Sequence, residues 1–101
     1  MKIAILGKEY PGKLTLGACI DFKEETGKEF DQVSGISDVG KALYFCVKSA
    51  CRIDKVKFTL SLRDFVDSLD ITAATQLFTE LMATVAAQAE SQSLDPKKKK
   101  S

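Results

Sequence analysis

Histidine is missing from the 101-residue sequence, and that absence excludes more chemistry than any other feature. It removes Ser-His-Asp and Cys-His catalysis and every His-ligated zinc or iron site. Tryptophan is missing as well. Cysteine is scarce: Cys19, Cys46 and Cys51 are odd in number and form no CxxC pair, so they read as reduced thiols of a cytosolic protein. Long hydrophobic runs are lacking too. The opening MKIAIL sets four apolar residues after one lysine and then meets Gly7, far short of a signal peptide's apolar stretch or a membrane span. No internal repeat is present.

What remains is an ordinary soluble composition, 45% hydrophobic and 29% charged, in a length suited to one domain. Area scaling buries about 65% of the unfolded surface of such a chain, enough for an adequate core. The charge is less ordinary than its total of +1 suggests. Four lysines, Lys97, Lys98, Lys99 and Lys100, stand together just before the last residue, and without them the body carries a net charge of −3. Gln32 to Leu60 has a net charge of +3 and Ser61 to Asp95 a net charge of −5. A mildly acidic body is a poor match for a nucleic-acid surface.

The pattern of residues reads as a mainly α (α+β) domain over 1–90: a short N-terminal β-hairpin, about four helices, then a disordered basic tail over 91–101. Lys2 to Leu6 is an aliphatic strand signal. Pro11-Gly12 is a type II turn dipeptide, so Gly7 to Lys13 is expected to double the chain back in a hairpin over 2–14. Thr15 is expected to cap a helix over 15–26 that Gly27 stops. Leu16, Cys19 and Ile20 share a face of that helix. Phe22 does not, which leaves either a helix buried on two sides or a surface anchor at Phe22.

The stretch DQVSGISDVG reads as a loop, with Ser37 or Asp38 capping a helix over 38–53. Val39, Leu43, Cys46, Val47 and Ala50 recur there at helical spacing. Ser61 with Asp64 resembles a capping box and opens a helix over 61–69, striped by Leu62, Phe65, Val66 and Leu69. Thr72 is placed to cap a last helix over 72–90, where Ala74, Leu77, Phe78, Leu81, Met82, Val85 and Ala89 line one side. That side suits core packing, or else a groove that takes an apolar segment of a partner. Met82 fits such a surface, since methionine adapts to varied neighbours.

One chemical motif needs a decision. Gly7, Gly12 and Lys13 after an aliphatic strand match the spacing of a phosphate-binding loop. The next residue should be Ser or Thr for magnesium but is Leu14, Pro11 removes an N–H donor, and no later strand supplies an aspartate. A plain hairpin turn is preferred. Cys46 and Cys51, five apart on one helix, diverge and read as small buried hydrophobes. Glu24-Glu25 and the carboxylates Asp64, Asp67 and Asp70 read as solvated faces without a partner base. No catalytic, metal or cofactor residue is assigned, and the chain is expected not to be an enzyme.

The succession of KIAILGKEY, LTLGACIDFKEETGKEF and FTLSLRDFVDSLD resembles the tail assembly chaperones of long-tailed, siphophage-type bacteriophages and prophages. These often begin with a strand and a GKE-type turn. A helix follows that closes in an acidic residue and Thr-Gly-Lys, matched here by Glu25, Thr26, Gly27 and Lys28. A T-x-x-x-F-x-D-x-L-D-like helix, close to Leu62 to Asp70 here, precedes a terminal helix. The Pro11-Gly12 turn departs from that pattern.

The resemblance implies a non-enzymatic helper in the bacterial host cytoplasm that binds the hydrophobic tape-measure protein, keeps it soluble and recruits tail-tube subunits. Such a helper is absent from the mature virion. Expected partner-binding residues are Phe22, Phe65, Val66, Leu69, Leu77, Phe78, Leu81, Met82 and Val85, and self-association through the same faces is compatible with them. Membrane association is not expected. In many phages a programmed ribosomal frameshift extends part of the product, so Lys97 to Lys100 read as a trace of an A-rich slippery stretch, alongside a plain solvated tail or a basic tether. The alternatives are a structural head–tail connector or tail component, and a small nucleic-acid-binding protein using Lys41 to Lys57 and the tail.

Overall fold

The computed structural model describes the backbone of residues 1–92 and the side chains of residues 1–85. Two strands, β1 (Lys2–Ile5) and β2 (Lys8–Pro11), form an antiparallel hairpin in which Ile3 faces Tyr10 and Ile5 faces Lys8. Alternation puts Ile3, Ile5 and Tyr10 inward, while Lys2, Ala4 and Glu9 face solvent. The chain reverses at Leu6-Gly7, with φ of +51° and +81°, at the leading edge of the expected Gly7 to Lys13 reversal and not at its Pro11-Gly12 dipeptide. Two consecutive positive φ values match a type I′ turn, whose twist suits a two-residue hairpin.

Pro11 instead ends β2 opposite Lys2, an edge position that tolerates a missing N–H. Gly12 is there for room. A Cβ on it would lie 2.9 Å from Ile3 Cδ1, and its N–H extends the hairpin by donating to the Met1 carbonyl at 2.8 Å.

Helix α1 (Leu16–Thr26) starts where Thr15 accepts the Ala18 N–H at 3.0 Å and ends at left-handed Gly27, as the sequence indicates. Its buried face does not follow the sequence. Ala18 and Phe22 are buried, whereas Leu16 is 82% exposed and Ile20 58%. The helix lies antiparallel along α2 (Gly35–Asp54), where Gly17 leaves space for Arg52 and Ser49 and the Thr15 and Ser49 hydroxyls hydrogen-bond. Small side chains therefore set the rotation of α1, and they carry Phe22 inward.

A single 3-10 turn at Phe30–Gln32 leads into α2, which begins three residues before its expected caps. Ser34 is the N-cap residue, and the Asp38 carboxylate accepts its N–H at 3.1 Å and the Lys28 ammonium at 2.7 Å. Ala42 through Val47 and Ser49 through Cys51 are buried on every side of the helix. α2 is thus the central element, touched by α1, the hairpin, α3 (Leu62–Asp67) and α4 (Ile71–Gln92).

Between α2 and α3, Phe58 stacks edge-on with Tyr10 and Phe65 and tilts against Tyr44, whose hydroxyl donates to the Leu60 carbonyl at 3.0 Å. Such ring pairs add stability beyond their buried area, about 0.5–1.5 kcal/mol each. Ser61 caps α3 through the Asp64 N–H, as its spacing suggests. α3 closes at Ser68, before Leu69. The cap of α4 is Asp70 rather than Thr72: its Oδ1 accepts the Ala73 N–H at 2.7 Å, one residue ahead of the helix. An aspartate ranks above threonine at this position. The lysine run Lys97 to Lys100, Ala89 and the tail lie outside the described residues, side chain or backbone.

Candidate partner-binding groove

Three helices meet at one end of the molecule and do not close over each other. The N-terminal half of α2, all of α3 and the first turn of α4 border a groove of about 640 Å³. Its apolar surface comes from Ile36 on α2, Leu62 and Val66 on α3, Leu69 in the following turn, and Ile71 and Ala74 on α4. Gly40 forms part of the α2 wall, and a Cβ there would meet Val66 Cγ1 at 3.2 Å. The missing side chain lets α3 seat against α2 while the space beside Val66 stays open. Ile36 and Ile71 are 42% and 67% exposed, so the apolar surface continues out of the groove.

The polar rim has a definite sign. Lys41 and Arg63 contribute cations and Asp70 the only carboxylate of the lining. The nearest carboxylates to the two cations are loose partners: Lys41 lies 3.9 Å from Glu25 and Arg63 3.9 Å from Asp67. Both distances exceed hydrogen-bonding range. Asp70, by contrast, is engaged through Oδ1 in capping α4. The lining thus carries two loosely paired cations against one carboxylate that is bonded through a single oxygen.

Of the residues expected to bind a partner, Val66 and Leu69 lie in this groove. Phe22, Phe65 and Leu81 do not present a surface at all, being 0%, 0% and 1% exposed. Phe65 sits beneath the groove in the aromatic cluster, and Phe22 stacks on Phe30, which in turn lies 6.3 Å from Phe78. Leu77, Phe78 and Met82 are half-buried against the same core, and Val85 is half-buried further along α4. The apolar side of α4 thus serves α2, as the core-packing alternative has it.

The groove also draws on residues outside the expected set: Ile36, Lys41, Leu62, Arg63 and Ile71. Ile36 and Ile71 carried a signal, since each is a β-branched apolar residue in the first turn of a helix, within two residues of its cap. In such a place the side chain projects past the helix end.

Other candidate chemistry is held apart by the fold. Gly7 lies in the hairpin turn, and the Gly12 N–H is bonded to Met1, so the phosphate-loop spacing presents no cradle. Burial pushes the Cys46 thiol up to about 12, with Cys19 nearby adding to the effect. Burial and then Glu29 raise Cys19, while burial and then Asp54 raise Cys51. Thiolate nucleophiles are disfavoured at all three. Cations between Lys41 and Lys57 are dispersed around α2: Arg52 turns to Asp21 at 4.0 Å, and Lys48 lies 5.9 Å above the Tyr44 ring. Among the described residues no helix is long and apolar enough to cross a membrane. No family model matches the sequence, and no curated protein or solved structure matches it either.

Proposed function

We propose that the chain is a chaperone of bacteriophage tail assembly that holds apolar segments of the tape-measure protein, keeps that protein soluble and helps recruit tail-tube subunits. It works without catalysis, in the cytoplasm of the bacterial host, and is absent from the finished virion. The observation that carries this reading is the open groove between α2, α3 and α4. It is built around Leu62 to Asp70, one of the segments that resemble the tail assembly chaperones. Covering apolar surface there stabilises a complex by about 25 cal/mol per Å² removed from water.

Co-expression with the neighbouring tape-measure gene tests the function directly. The expected outcome is a soluble tape-measure protein that co-purifies with this chain. A tape-measure protein equally insoluble with and without it overturns the proposal. Mass spectrometry of mature virions separates the chaperone from a head–tail connector, because a connector stays in the particle.

A further inference from the structure

We infer that the groove receives an amphipathic helix whose apolar stripe is flanked by carboxylates, a choice of partner segment that rests on the chaperone reading but goes beyond it. The shape argument concerns the walls. Every lining residue belongs to α2, α3, α4 or the turns between them, and none belongs to the hairpin. No strand edge is therefore within reach to pair with an extended segment, and main-chain augmentation is not available at this site. A groove between helices accepts side chains at positions i, i+3, i+4 and i+7 of a docked helix. Its volume of about 640 Å³ falls within the range of sites that enclose several side chains.

The charge argument fixes the flanks. Compare the groove's cations with Lys28, whose ammonium lies 2.7 Å from Asp38 and is engaged. Lys41 and Arg63 stand at 3.9 Å from Glu25 and Asp67, beyond hydrogen-bonding range, so these pairs are loose and open to exchange. They sit on different walls, one on α2 and one on α3, so a helix lying between them meets a cation on each side. The sole lining carboxylate, Asp70, is engaged at the helix cap. A partner helix bearing lysines or arginines along its stripe would meet two cations against one lining carboxylate, whereas glutamates or aspartates would compete for both cations. The lining thus selects by sign, and its apolar part supplies the affinity.

Two synthetic peptides of about 18 residues test this, long enough to populate a helix. Both carry the same leucine stripe, one flanked by glutamates and the other by lysines. Binding to the full chain is followed by fluorescence anisotropy. The expected result is a preference of about three- to tenfold for the glutamate peptide, the scale set by two exposed charge pairs. That preference shrinks as salt is raised. In the double variant Lys41→Glu/Arg63→Glu it reverses. Both side chains are at the surface, and a circular-dichroism melt confirms that the variant folds.

The double variant Ile36→Ser/Ile71→Ser weakens both peptides alike. Equal affinity for the two peptides, or a preference untouched by the charge reversal, overturns the inference. The two levels of interpretation fail separately. A tape-measure protein kept soluble equally well by Lys41→Glu/Arg63→Glu removes the sign selection and leaves the chaperone reading standing. A clear peptide preference without any effect on that protein's solubility does the opposite.

Discussion

Two sides of α2 solve the same packing problem differently. On the side where α1 and the 28–34 segment cross, small residues let the backbones approach, Phe22 fills the gap, and Asp38 ties Lys28 and the Ser34 N–H together. On the side where α3 and α4 cross, Gly40 brings α3 close but no described residue fills the space beyond Val66. The Lys28–Asp38 pair is engaged at 2.7 Å, whereas the two cations that line the open side, Lys41 and Arg63, lie 3.9 Å from Glu25 and Asp67. Among the described residues the second side stays open, with two isoleucines at its mouth.

Substitutions can break that contrast if it is wrong. Phe22→Ala has the largest expected effect: truncating an enclosed phenylalanine costs about 3–5 kcal/mol of stability, measured by urea unfolding. Asp38→Asn comes next and shows in the acid limb. The Lys28 ammonium, then the Ser34 N–H, hold the Asp38 carboxyl below its usual range. Its stabilising contribution is thus present above the unfolded value near pH 4 and is lost as pH falls through the lowered folded value. The asparagine variant is therefore less stable at neutral pH, and its acid unfolding lacks that component below pH 4. An unaltered acid limb would show that the Lys28–Asp38 pair does not lock the junction.

Removing a cap ranks lower. Asp70→Ala leaves the Ala73 N–H without its acceptor and costs about 1 kcal/mol, read from the thermal midpoint. Smallest is Ile71→Ser, where a side chain already in water changes stability by no more than about 0.5 kcal/mol while weakening peptide binding. If Ile71→Ser destabilised the fold as Phe22→Ala does, the groove would be part of the core and the contrast would vanish.

Much of this architecture is legible in the residues, but not at the points where shape outweighs hydrophobicity. The succession of hairpin and helices follows from periodicity and from the caps Thr15 and Ser61, which act through local hydrogen bonds. The rotation of α1 does not. Leu16 and Ile20 look like a buried face, yet Gly17 and Ala18 decide the contact because they are small, a property that a hydrophobic pattern does not register. Pro11-Gly12 misleads for a similar reason, since its glycine is needed for the approach of Ile3 rather than for a turn. The turn at Leu6-Gly7 sets a leucine at positive φ, an uncommon choice that a turn signature does not reveal.

The candidate site divides along the same line. Val66 and Leu69 come from a stripe visible in the sequence. Lys41, Arg63 and Ile71 join them only because three helices, joined by short turns, converge. Phe65 and Leu81 belong to equally clear stripes but point to the other side of that convergence.

The position of Cys46 has a practical consequence. It sits midway along the helix that every other element touches, fully enclosed and with its thiol held up to about 12. An alkylating reagent can reach it only when α2 is uncovered, and uncovering α2 undoes all of the packing at once. Its labelling rate at neutral pH is therefore a built-in gauge of whole-molecule opening, readable by mass spectrometry on unmodified protein, and a bound partner that steadies the fold will slow it.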